Sequence, residues 1–88
     1  MFLKGCVIEP GVFICAGNDL RTLTISNKEA GEEHYECAMQ CASTEGCVGW
    51  TFSIATLRCW LKSDDSCKGN LDGWISGNKD CGSSSTYL

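Results

Sequence analysis

No apolar run of about eighteen residues is present, the length a helix needs to cross a bilayer, so membrane insertion is not expected. Cations are also few: seven Lys and Arg stand against eleven Asp and Glu, for a net charge of −4. Without a basic patch, neither nucleic-acid phosphates nor an anionic lipid surface is an expected partner. His34 is the single histidine, so any general-base scheme would have to rest on it. No serine sits in a nucleophile-elbow context, and Asp64-Asp65 falls in a polar turn where acids are common. Catalysis is therefore not expected. Ser63-Asp64-Asp65 is too short and irregular for a calcium loop. Asn18, Asn27, Asn70 and Asn78 all lack Ser or Thr two residues on, which leaves no N-glycosylation acceptor. Large aliphatic and aromatic side chains are scarcer than the hydrophobic share of 43% suggests, because that share counts eight cysteines. A chain of 88 residues with so few of them builds only a thin core.

Cysteine is what the sequence has in excess. Eight in 88 residues is the density of a disulfide scaffold, in which cross-links stand in for missing core. Disulfides persist in oxidising compartments, so secretion, an organelle lumen or a cell surface is expected, and not the cytosol. Met1-Phe2-Leu3-Lys4 is too short for a signal peptide, which reads the chain as a segment of a longer secreted protein. Zinc is the rival use of the thiols, with His34, Cys37, Cys41 and Cys47 as the set that can be drawn. Their spacing matches no standard finger, which wants close Cys pairs separated by a loop, so no metal or other cofactor is expected.

Along the chain, Cys6-Val7-Ile8 and Val12-Phe13-Ile14 flank the turn signal Pro10-Gly11 and read as two short extended segments. Leu20 to Ile25 alternates as a strand does. From Glu32 the period becomes helical: His34, Cys37, Ala38, Cys41 and Ala42 share one face. Gly31 serves as N-cap, Glu32 and Glu33 complement the helix dipole, and Gly46 supplies the stop. Cys47 to Ser53 is the clearest strand, with Val48, Trp50 and Phe52 on one face and small or polar residues on the other. Leu57 to Lys62 pairs with it as a hairpin, placing Leu57, Cys59 and Leu61 opposite Arg58, Trp60 and Lys62. Ser63 to Asp72 reads as loop, Gly73 to Gly77 as a final strand, and Gly82 to Thr86 as flexible linker. One domain over residues 5–82 is expected, with 1–4 and 83–88 as linker ends.

Cys37 and Cys41 lie one helical turn apart, so both sulfurs point to the same side and can bind a sheet packed there. The run Cys37-x3-Cys41-x5-Cys47-Val-Gly-Trp-Thr-Phe, then Cys59-Trp-Leu-Lys-Ser, then Gly73-Trp-Ile-Ser-Gly and Cys81 resembles the PAN/apple module. The resemblance covers Cys6 to Cys81. It implies a small disulfide-rich α+β fold, a curved antiparallel sheet with one helix packed on it. Cysteine counting alone leaves on the order of a hundred pairings open. The resemblance implies Cys6–Cys81, Cys37–Cys59 and Cys41–Cys47. It leaves Cys15 and Cys67, which stand outside the six-cysteine apple pattern, to each other. An eight-cysteine set with a short Ser-rich tail is most similar to the tandem apple modules of coccidian parasite microneme adhesins.

That resemblance implies an extracellular adhesion module, delivered through the microneme. Its partner would be a protein, either a host-cell receptor or a companion secreted adhesin, with a carbohydrate ligand as the alternative. The isolated module is expected to be monomeric. Trp50 shares its face with Val48 and Phe52 and is expected in the core. Trp60 falls on the face opposite Cys59, between Arg58 and Lys62, and an exposed Trp flanked by cations is a usual ingredient of a binding surface. Arg58, Trp60, Lys62 and Trp74 are accordingly the candidate binding residues.

Overall fold

The computed structural model describes residues 5–26 and 31–82. The expected linker ends, 1–4 and 83–88, lie outside the described residues. Five strands and one helix follow in the order β1 (Ile8–Ile14), β2 (Asp19–Thr24), α1 (Glu33–Ala42), β3 (Gly49–Ser53), β4 (Arg58–Lys62) and β5 (Lys68–Asn78), ending in a short 3-10 turn at Lys79–Gly82. They form a single antiparallel sheet in the order β1-β5-β3-β4-β2. The fold is α+β and disulfide-rich, with the helix on one sheet face.

Strand alternation decides which residues meet the helix. Trp50 lies opposite Leu61 and Gly77, and Phe52 lies opposite Cys59 and Ile75. Cys37, Ala38 and Cys41 of α1 close over them, and Trp50, Phe52, Leu61, Cys59 and Cys37 are all at most 1% exposed. Two disulfides reinforce this layer: Cys37–Cys59 joins helix to sheet, and Cys41–Cys47 closes the turn after the helix. Cys6–Cys81 ties the two ends of the domain together beside the same core. Gly77 is required where it is, because a Cβ there would lie 2.5 Å from the Trp50 ring and 3.0 Å from the Val7 carbonyl oxygen.

Several local expectations are corrected. The helix N-cap is Glu32 and not Gly31, whose N–H instead donates to Glu33 Oε1 at 3.0 Å. Gly46 is not the stop: the helix ends at Ala42, and the hydroxyls of Ser43 and Thr44 donate to the Gln40 carbonyl at 3.2 and 2.7 Å. Ala42 faces solvent, while His34 is half-buried. Pro10-Gly11 does not separate two segments but forms a bulge within β1. Proline is tolerated there because β1 is an edge strand, and Gly11 adopts the left-handed φ of 77° that the bulge needs.

Ser63 to Asp72 is not all loop, since β5 begins at Lys68. Lys68, Gly69 and Asn70 pair with Ile14, Phe13 and Val12, whereas Ile75 to Gly77 pair with Pro10 to Ile8. Between these sets β5 carries three more residues than β1, and Gly73 sits there at φ 92°. The ribbon of Val12–Ile14 and Lys68–Asn70 therefore departs from the sheet plane and packs over β3. Its contacts are specific: Ile14 N–H donates to Thr51 Oγ1 at 3.3 Å, and Ser76 Oγ donates to Val12 O at 2.7 Å. This cover over Thr51, with Asp65 lying against Gly49, buries β3 on both faces where alternation suggests one.

Candidate functional site

The ribbon does not lie flush on the sheet. Between them is a cavity of about 350 Å³ on the face opposite the helix. Trp60 from β4 and Trp74 from β5 form one side of it, their rings stacked with centroids 5.3 Å apart. The Phe13 ring lies 6.2 Å from Trp74 and rests on Gly69, where a Cβ would come within 2.6 Å of it. Ile14, Ala16 and Leu71 complete the apolar lining, and Leu71 is 54% exposed at the rim.

The Thr51 hydroxyl and the Lys62 ammonium, which line this cavity, are committed to internal partners. Ser76 has one hydroxyl proton and gives it to the Val12 carbonyl, so Thr51 is the donor in the 2.8 Å Thr51–Ser76 contact. Lys62 was expected as an exposed cation beside Trp60. It is instead 2% exposed, and its ammonium donates to Cys15 O at 3.0 Å, to Gly17 O at 3.1 Å and to the Asp19 carboxylate. An ammonium has three protons, and all three are in use. A buried charge persists only with such partners, which is why a lysine at this position can face the interior. Among the described residues, no buried side-chain nitrogen or oxygen lacks a hydrogen-bond partner.

Of the four sequence candidates, the fold brings Trp60, Trp74 and Lys62 to one cavity. Trp60 and Trp74 are half-buried, not open. Arg58 is exposed on the same sheet face but does not line the cavity. Phe13, Ile14 and Leu71 are site residues that spacing does not reveal, because they belong to segments that meet only through the β1–β5 pairing. The isolated apolar Leu71 within a polar stretch was the one available signal.

The other polar candidates fall elsewhere. His34 stands on the helix side, its ring 4.1 Å from Tyr35 and 6.3 Å from Trp50. Partial burial pushes its pKa down, against the raising influence of Glu33 and Glu32. Cys37, Cys41 and Cys47 are in disulfides, so no thiolate stands beside it to complete a zinc set. The exposed Asp64 carboxyl is held below the usual range by the Ser66 backbone N–H, which donates to it at 2.9 Å in a local turn.

Cys15–Cys67 is the remaining disulfide, and it closes the end of the ribbon that roofs the cavity. No curated protein matches the chain. A comparison with protein families matches the PAN domain over residues 15–62, from the ribbon disulfide through the helix to the end of β4. That stretch is more than half of the 88 residues, so the chain belongs to the PAN domain family, whose members are modules that bind proteins or carbohydrates and are not an enzyme class.

Proposed function

We propose that this chain is an extracellular adhesion module that captures a partner protein through the aromatic cavity between ribbon and sheet, the partner being a host-cell receptor or a companion secreted adhesin. The observation that carries this reading is the chemistry of the cavity. Its lining is mostly aromatic and aliphatic, and the Thr51 hydroxyl and the Lys62 ammonium are already paired internally, which leaves the partly exposed Asp19 carboxylate as the lining side chain with acceptor capacity to spare. An apolar side chain entering it loses no hydrogen bonds. Among the lining side chains a sugar would find spare acceptor capacity only on Asp19, and each further hydroxyl buried without a partner would cost roughly 1–3 kcal/mol. Aromatic anchors in a partly desolvated pocket are also the usual centres of protein interfaces.

The carbohydrate reading keeps one supporting feature, the partly open Trp60–Trp74 stack, on which a sugar ring could lie. The polar groups that would have to converge on it are weaker support, since Lys62 has no free proton. The narrower assignment, one of several tandem apple modules in a coccidian microneme adhesin, rests on the eight-cysteine pattern and the Ser-rich stretch 82–86. Within it, residues 5–82 form the binding unit and the ends act as linkers. A single module is monomeric and weak, and tandem copies raise avidity through effective concentration. A pull-down from epithelial surface extract run beside a glycan array, each with native protein and with Trp60→Ala, tests the choice. Protein capture lost in Trp60→Ala and a silent array are expected. A strong glycan signal abolished by the same substitution would reverse the assignment.

A further inference from the structure

The cavity wall is held by groups that the hydrophobic core does not supply. Phe13 and Ile14 belong to the ribbon, Ala16 to the turn that follows it, and Asp19 to the first position of β2. Five of the cysteines in the other three disulfides, Cys37, Cys41, Cys47, Cys59 and Cys81, are buried in the helix-side cluster, and Cys6 packs against it. Cys15 and Cys67 are not in that cluster; Cys15 is half-buried and Cys67 is exposed. Their bridge closes the ribbon, beside a backbone hydrogen bond from Cys15 N–H to Cys67 O at 3.0 Å. Lys62 then reaches from the sheet to the carbonyls of Cys15 and Gly17 and to the Asp19 carboxylate. Sheet, ribbon end and turn are thus joined at one point.

We propose that Lys62 and the Cys15–Cys67 disulfide are the positioning groups of the cavity wall, and that cleaving this one disulfide releases the wall while the helix-side core stays folded, making ligand capture sensitive to thiols. The consequence for the ligand rests on reading the cavity as the binding site, whereas release of the wall does not. The reductant is a dithiol. Its thiolate attacks the exposed Cys67 sulfur, the disulfide bond breaks, and the electron pair leaves on the Cys15 sulfur, which takes a proton from water. The second thiol of the reductant then attacks the mixed disulfide, frees Cys67 as a thiol and leaves the reductant as a cyclic disulfide. Two electrons have passed to the protein. The last covalent tie at the ribbon end is then gone, and its position depends on Lys62, on the Cys15–Cys67 backbone hydrogen bond, and on the Ile14 N–H to Thr51 contact and strand pairing behind them.

The test uses the 88-residue chain with 5-fluorotryptophan at its three tryptophans, each ¹⁹F resonance assigned with a Trp→Phe variant. During titration with dithiothreitol, alkylation and peptide mapping should find Cys15 and Cys67 modified at least about tenfold sooner than the other six, as access controls the exchange rate. The Trp60 and Trp74 resonances should shift together while that of Trp50 stays in place. The double variant Cys15→Ser, Cys67→Ser should show the same shifts without reductant, and Lys62→Met should move the same two resonances. Opening of any other bridge first would overturn the proposal, as would movement of the Trp50 resonance in either variant, which would mean that the core had given way. Unmoved Trp60 and Trp74 resonances would overturn it too. A wall that opens while partner capture is unchanged would instead refute the binding role of the cavity and leave the positioning role standing.

Discussion

Replacing Trp50 and Trp60 separately by alanine weighs the two sheet faces against each other. Trp50 is 0% exposed, its indole N–H donates to the Asn78 carbonyl at 3.0 Å, and its ring covers Gly77. An aromatic of this size buries about 150–250 Å², which at roughly 25 cal/mol per Å² corresponds to about 4–6 kcal/mol of transfer free energy. Partial collapse of the space left behind brings the expected loss for Trp50→Ala to about 3–5 kcal/mol. The orphaned Asn78 carbonyl lies near the surface and can be rehydrated, so it adds little. Trp60 is half-buried and borders a cavity, so its removal enlarges an existing space and forfeits less apolar burial. Its expected cost is about 1–2 kcal/mol, at the lower end of typical substitutions. Urea unfolding followed by far-UV circular dichroism, with all disulfides intact, measures both against the native chain. The midpoint should fall far more for Trp50→Ala, with the slope of the transition unchanged. Equal losses would refute the reasoning, because they would mean that the cavity face is as tightly packed as the helix face.

Three further outcomes are expected. Gly77→Ala should destabilise by about 1–3 kcal/mol, the range for overpacking, since both the Trp50 ring and a backbone oxygen occupy the space of the added carbon; thermal unfolding checks this. The folded-state pKa of His34 lies below its ordinary 6.5 because of burial, so the unfolded chain takes up the proton first. The stability this contributes is fully present above that value and lost as pH falls through the folded pKa, so a melting midpoint followed from about pH 7.5 down to 5 should drop less steeply in His34→Gln. Removing the bridge across residues 37 and 59 as Cys37→Ala, Cys59→Ala should cost about 3 kcal/mol in the chain-entropy account, before any cavity in the core, and leave α1 undocked from the sheet; loss of cooperative melting is the sign to look for.

The sequence alone determined the parts of this protein that depend on local pattern. Helical spacing from His34 to Cys41 and strict alternation through Trp50, Phe52, Cys59 and Leu61 fix which side chains meet, because periods of 3.6 and 2 need no knowledge of distant residues. The density of cysteine likewise declared a covalent scaffold for an oxidising compartment. Non-local pairing lay beyond it. Polar, turn-rich residues 68–70 form a strand only because Val12–Ile14 of β1 lie beside them, and that pairing folds the ribbon over Thr51 and Ser76. Alternation correctly placed Lys62 on the face of Trp60, but a face is not an exposure. Whether that lysine meets water or three acceptors closed around its ammonium depends on a segment, residues 15–19, more than forty positions away along the chain and brought over it by the tertiary structure. The core was therefore written in spacing, whereas the cavity exists only where two segments far apart in sequence close over one another.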